Sequence, residues 1–190
     1  MSEKQALRRA MLAARAALDP RQRAQEDAAI VAAARLIVRG ASRVAAYVPM
    51  PGEPGGAELP EALATNLPPT GLLLPSLRSD LDLDWASYDG TLTDGPAPTR
   101  MREPSGPRLG VQAIATAEIV LVPAVAVDRG GARLGRGGGS YDRALARIRS
   151  GVPVIALLYR DELVPELPTE THDRRVTAVL TPDGLVPVAS

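Results

Sequence analysis

From residue 3 to residue 40 the chain is interrupted by a single proline, Pro20, and is rich in Ala, Leu, Arg and Gln, all strong helix formers. Two helices are predicted. The first places Ala6, Leu7, Ala10, Met11, Ala14 and Leu18 on one stripe. Asp19 caps the second, Pro20 takes its first turn where a missing N–H costs nothing, and Gly40 stops it after Arg39. The pattern then shortens. Residues 43–48 form an apolar run closed by Pro49, Pro51 and Gly52, a buried strand leading into a loop. A short helix fits residues 58–64 and another buried strand residues 71–75, while Leu81, Leu83 and Trp85 alternate with Asp82 and Asp84 as a half-exposed strand does. Residues 89–110, rich in Gly, Pro and Thr, read as a surface loop or small hairpin.

Residues 118–127, EIVLVPAVAV, are apolar on both faces, which predicts a strand covered from both sides at the centre of a sheet. A helix over 141–149, a continuous apolar strand over 152–159 and a last strand over 176–181 follow. Strand, loop, helix and strand in that order predict a βαβ unit with a right-handed crossover. The fold expected is α/β: one domain over residues 1–190, with a largely parallel sheet flanked by helices in a Rossmann-like three-layer arrangement. The helical region 1–40 is expected to pack on the sheet.

Composition narrows the chemistry. The 190 residues suit one domain, and with no phenylalanine and 3% aromatics the core must be built from Ala, Val, Leu and Ile. The absence of cysteine excludes disulfides, thiolate metal sites and cysteine nucleophiles. The single His172 cannot make a His-rich zinc site and reads as structural or solvent-facing, so a bound metal would be a hard cation on oxygen ligands, magnesium first. Basic and acidic residues, 22 of each, cancel, which argues against a surface tuned to nucleic acid or anionic membrane. A basic first helix, with Arg8, Arg9, Arg15, Arg21 and Arg23, could instead touch RNA, but there is no aromatic stacking platform. No run reaches the roughly 18 apolar residues of a membrane span, and the N-terminus lacks the apolar core of a signal peptide. A cytoplasmic monomer is expected.

The segment Arg133-Leu134-Gly135-Arg136-Gly137-Gly138-Gly139-Ser140-Tyr141-Asp142-Arg143 follows the central strand and opens a helix. Glycines there let a phosphate approach the backbone, and exposed amides with a helix N-terminus make an anion site. Arg133, Arg136 and Arg143 add guanidinium groups that can hold phosphate oxygens in pairs, so a triphosphate suits the loop better than a neutral ligand. It is neither a Walker A motif nor a dinucleotide fingerprint, and a plain flexible turn is the bland alternative. Outside the loop, Lys4 is the only lysine. Taken alone, Lys4 reads as a solvated cation, Glu53 as an exposed loop carboxylate, Asp142 as a helix cap and Asp173 as a turn residue.

Val122-Pro123-Ala124 through Val127-Asp128, then Gly131-Ala132-Arg133-Leu134-Gly135 and residues 137–143, resemble the signature of 5-formyltetrahydrofolate cyclo-ligases, also called methenyltetrahydrofolate synthetases. Lys4 and Arg8, Tyr47-Val48 to Glu53, Arg102-Glu103-Pro104, Pro168 and His172-Asp173 accompany it in order, so the resemblance spans nearly the whole chain. It implies an ATP-dependent, magnesium-requiring cyclisation of 5-formyltetrahydrofolate within one-carbon metabolism. It implies that Lys4, Gln5, Arg8, Arg133, Leu134, Gly135, Arg136, Gly137, Gly138, Gly139 and Tyr141 bind ATP. It further assigns Val48, Glu53 and Tyr141 to the folate, Asp142 and Asp173 to magnesium, and Lys4, Arg133 and Tyr141 to catalysis. The family usually has a second tyrosine where Ser140 stands, and often an aromatic residue at Val127. That departure leaves open a relative that phosphorylates another small acyl or amide substrate, or a non-catalytic nucleotide-binding module.

Overall fold

The computed structural model describes residues 2–95, 101–170 and 173–188. It begins with α1 (Glu3–Ala16), α2 (Pro20–Ile37), β1 (Val44–Ala45), α3 (Leu59–Ala64), β2 (Leu72–Leu77), β3 (Leu83–Ser87), β4 (Leu92–Asp94) and β5 (Arg102–Pro104). A 3-10 turn (Val111–Thr116) leads to β6 (Ile119–Pro123), β7 (Ala126–Asp128), β8 (Arg133–Leu134), α4 (Ser140–Leu145), β9 (Val154–Leu157), β10 (Leu163–Val164), β11 (Ala178–Thr181) and β12 (Gly184–Pro187).

Seven strands form the main sheet in the order β12-β11-β9-β6-β1-β2-β3. The five inner strands run parallel, and β12 and β3 close the edges antiparallel. A parallel sheet must be covered on both faces, and alternation along each strand supplies two apolar sets. Leu72, Leu74, Leu121, Ile155, Leu157 and Leu180 meet Ile30 and Ala34 of α2 and Leu59 and Leu63 of α3. Leu73, Val120, Val122, Val154, Ala156 and Val179 meet Ile114 of the 3-10 turn and Ala144 and Leu145 of α4. The largely parallel sheet flanked by helices is as expected. Local chemistry supports the helices: Ser2 and Gln5 form a reciprocal capping box on α1, and the Asp19 carboxylate accepts from the N–H groups of Arg21 and Gln22 at the start of α2.

The structure departs from expectation in several places. Residues 118–127 are not one strand. The chain leaves the main sheet at Pro123, and β7 enters a second sheet of three strands, antiparallel to β8 and parallel to β10. Its turn is tied by Asp128, whose carboxylate accepts from Ala132 N and Leu167 N at 2.8 and 3.1 Å. The strand expected at 81–85 begins at Leu83, because Leu81 takes a left-handed φ of 63°. Asp84 is not solvated: it is buried and accepts from Trp85 N and Gly110 N. The edge strand β12, only four residues long, was not expected. Finally, the apolar stripe of α1 is rotated. Ala6, Ala10 and Ala14 are exposed, and Leu7, Met11 and Leu12 pack on Val125, Ala126, Leu134 and Leu167 of the small-sheet core. Thus α2 lies on the main sheet and α1 on the small one. The rotation turns Arg15 inward, to 4% exposure.

Among the described residues, no helix is long and apolar enough to cross a membrane.

Candidate active site

A cleft of about 500 Å³ opens where the start of α1, the loop after β1 and the loop joining β8 to α4 meet. Lys4, Gln5 and Arg8 reach it from α1, Val48 and Glu53 from the end of β1 and its loop, and Arg133, Gly135, Arg136 and residues 137–142 from the glycine segment. Asp173 closes one end, and Leu77, Leu83 and Met101 give an apolar wall. The structure therefore brings all but two of the expected residues together. The exceptions are Leu134, whose side chain lies in the small-sheet core and whose carbonyl accepts from Val125 N, and Arg143, which is exposed outside the cleft lining and donates to the carbonyls of Leu81 and Gly138. His172 lies outside the described residues.

The glycine loop follows β8, the second strand of a hairpin, rather than the central strand. Gly137 and Gly139 have φ of 105° and 66°, which side-chain-bearing residues rarely adopt. The glycines also make room for cations. A Cβ on Gly135 would stand 2.9 Å from Arg133 Nη1, one on Gly137 3.5 Å from Arg8 Cζ, and one on Gly139 3.3 Å from Arg143 Nη1. Among the described residues, no backbone N–H from 135 to 139 donates to another group of the protein. Such a run of open donors is the backbone chemistry of an anion site. With α4 only six residues long, these amides matter more than a helix dipole.

The cations along this wall are paired with carboxylates of the same cleft. Arg133 Nη2 donates to Asp142 Oδ1 at 3.0 Å, Lys4 Nζ to Asp173 Oδ2 at 2.8 Å, and Arg136 Nε to Glu53 Oε1 at 2.7 Å. Arg8 Nε donates to the Gly135 carbonyl at 2.7 Å. Arg133 also lies 5.8 Å above the Tyr141 ring, and its buried Nε has no partner. Burial, then the Glu53 charge, pushes the Tyr141 hydroxyl far above its ordinary value, with Arg133 opposing, so it remains a neutral phenol. Glu53 is no exposed loop carboxylate: it is 5% exposed and accepts from Met50 N through Oε2.

Among the described residues, no three His, Cys, Asp or Glu side chains gather as a closed metal cage requires. Asp142 and Asp173 do adjoin, since the N–H of Arg174 donates to Asp142 Oδ1 at 3.2 Å. Two carboxylates beside a run of open amides have the oxygen chemistry that a magnesium ion would accept, with its other ligands from water.

Sequence reasoning missed the layer behind the cleft. Arg15 grips Glu162 with Nε and Nη2, both at 2.7 Å, and Nη2 also donates to the carbonyl of Ala124 in the cleft wall. Glu162 Oε2 accepts from Tyr159 N, and the Tyr159 ring lies 5.6 Å under the Arg15 guanidinium. The available signal was spacing: Arg15 falls four residues after Met11 on the inward stripe.

A model of the 5-formyltetrahydrofolate cyclo-ligase family matches residues 1–182. A 5-formyltetrahydrofolate cyclo-ligase from Mycolicibacterium smegmatis is 46% identical over 145 residues, 73% of this chain and 73% of its own. Among solved structures, a 5,10-methenyltetrahydrofolate synthetase from Aquifex aeolicus superposes with a TM-score of 0.75 at 23% identity, covering 98% of this chain and 93% of its own. One from Mycoplasma pneumoniae gives 0.74 at 19% identity, covering 95% and 99%. At those identities the two structures speak for the fold.

Proposed function

The chain belongs to the 5-formyltetrahydrofolate cyclo-ligase family, and on that premise we propose that it closes 5-formyltetrahydrofolate to 5,10-methenyltetrahydrofolate at the expense of ATP, releasing ADP and phosphate. The observation that carries this reading is the pairing across one cleft of Lys4, Arg133 and Arg136 with three carboxylates, beside a loop of open amides. Cations that already have exchangeable partners can pass to phosphate oxygens without leaving a buried charge alone beforehand.

The folate's formyl oxygen attacks the γ-phosphorus while the bond to the ADP oxygen breaks. N10 then adds to the formyl carbon and gives up its proton, and the former formyl oxygen leaves with phosphate. No protein nucleophile is needed. Lys4, Arg8, Arg133 and Arg136, with the amides of residues 135–139, hold and neutralise the phosphates. Gln5 sits beside them, fixed by its capping bonds with Ser2. Glu53 and the Tyr141 phenol orient the folate against Val48. Asp142 and Asp173 would hold magnesium, which would add positive charge at the phosphate oxygens. The enzyme acts as a cytoplasmic monomer on two small molecules.

Ser140, which lines the cleft, favours one second reading: a relative acting on a different acyl or amide compound. The deciding experiment follows 5,10-methenyltetrahydrofolate by its near-ultraviolet absorbance with Mg-ATP present or omitted. ATP-dependent product is expected. ATP binding without product would move the proposal to that second reading or to a binding module.

A further inference from the structure

We propose that Asp27 of α2, which does not line the cleft, is a positioning residue that holds Glu53 in place through the amide of Gly55. The inference rests on the folate-side role proposed for Glu53. The segment around Glu53 has little stiffness of its own: Gly52, Gly55 and Gly56 have φ of 81°, 90° and 56°. Glycines in this region carry a large conformational entropy, so the loop needs outside anchors.

Its internal bonds are the exchange between Met50 and Glu53 backbones and side chain, and a 3.3 Å contact from Gly56 N to the Glu53 carbonyl. Three anchors come from elsewhere, the first being Arg136, whose Nε donates to Glu53 Oε1 at 2.7 Å from the far side of the cleft. Tyr47 donates its hydroxyl to the Pro54 carbonyl, and Asp27 Oδ1 accepts from Gly55 N at 2.8 Å. Asp27 is itself held, because the same oxygen accepts from the Tyr159 hydroxyl at 2.9 Å. Tyr159 is fully packed beneath Arg15, whose partner Glu162 takes the Tyr159 amide.

Gly56 completes the fit: a Cβ there would stand 3.3 Å from Asp27 Oδ2, so the loop lies directly on the carboxylate. Burial raises the Asp27 carboxyl above its ordinary value, and the bonds from Tyr159 and Gly55 oppose that rise. A desolvated carboxylate is thus retained at a place where its visible work is to grip the loop.

The test uses the full-length enzyme. Asp27→Ala is expected to raise the KM for 5-formyltetrahydrofolate about tenfold while KM for ATP and kcat stay within about twofold. Asp27→Asn keeps an oxygen for Gly55 N–H and is expected to restore the folate KM. Ile30→Val, on the core side of the same helix, controls for lost stability and should leave both KM values unchanged. Amide hydrogen exchange over residues 50–56 gives a readout free of substrate: faster in Asp27→Ala, near wild type in Asp27→Asn. An unchanged folate KM in an active Asp27→Ala enzyme, or unchanged exchange in that loop, overturns the inference. Wild-type protein that forms no methenyl product would instead overturn the functional reading, and exchange alone would then decide whether Asp27 holds the loop.

Discussion

The two sheets of this protein are stabilised by different means. The central strands β1, β6 and β9 bury only apolar side chains on both faces. Around the small sheet of β7, β8 and β10, by contrast, Arg15, Asp128, Arg133 and Glu162 are buried, Arg15 and Glu162 against each other and Arg133 against the half-buried Asp142. Apolar burial is undirected and forgiving, at roughly 25 cal/mol per Å². Buried ion pairs add little net stability, but they fix groups in space and fail badly when one partner is lost. The molecule therefore keeps the central strands of the main sheet apolar and sets oriented charge beside the small sheet, with Asp84 at the main sheet's β3 edge an exception, and the cleft lies beside the small sheet.

The sharpest way to break this comparison is to remove one cation from the cleft. Arg133→Ala is expected to lower kcat by about 10²- to 10³-fold, as loss of a preorganised charge-stabilising donor does. Arg133→Lys should recover little, because a lysine can neither chelate nor stack as the guanidinium over Tyr141 does. Turnover measured per folded molecule, beside thermal melts, checks this. A loss of activity no greater than the loss of folded protein would sink the role of Arg133. The mirror experiment is Leu121→Ala in β6, expected to cost about 2–5 kcal/mol in urea denaturation while both KM values hold.

The pair behind the cleft tests the contrast from inside. Glu162→Leu alone leaves the Arg15 charge buried, and about 3–5 kcal/mol of stability is expected to go. Adding Arg15→Met should return much of it, since two apolar groups replace two charges. If the double variant were as unstable as the single one, the ion pair itself would be supporting the small sheet, and the proposed division between the two sheets would fail.

The same contrast explains what could be read in advance. Continuous apolar runs announced β6 and β9, because a strand buried on both faces must be apolar throughout. The glycine loop was legible because few residues tolerate its φ values and its crowding by Arg8, Arg133 and Arg143. Two features run against the local pattern: an apolar segment that changes sheet, and charge turned inward. The residues after Pro123 read as a continuation of β6, since Ala-Val-Ala-Val has the same apolar character in either sheet. On α1, the apolar pattern puts alanines on the buried stripe although Arg15 occupies it, because a buried arginine is legible only once its partner is known. Glu162 lies 147 residues further along the chain, and Tyr159 stands 132 residues from Asp27. Contacts at that separation leave no local pattern.

The smallest expected effect concerns the seam between the glycine-loop side and the main sheet, where Arg147, just past α4, donates to the Asp82 carboxylate at the start of β3 through Nη1 at 2.9 Å and through Nη2. The bond to Arg147 holds the Asp82 carboxyl below its ordinary value of 3.8, with burial opposing. A carboxyl depressed by folding contributes stability that is complete above its unfolded value and is lost as pH falls through the folded one. The Asp82 contribution should therefore stay constant above about pH 4 and be lost below it, steepening the acid limb of the stability curve. Asp82→Asn keeps the shape but not the charge, so it should lower stability modestly near neutrality and flatten that limb. Urea midpoints from about pH 6 down to about pH 3 read both effects. A limb of unchanged slope would mean that Arg147 holds Asp82 no better in the folded chain than water does in the unfolded one. The seam would then rest on the bond from Arg143 to the Leu81 carbonyl and on the apolar contact of α4 with Trp85.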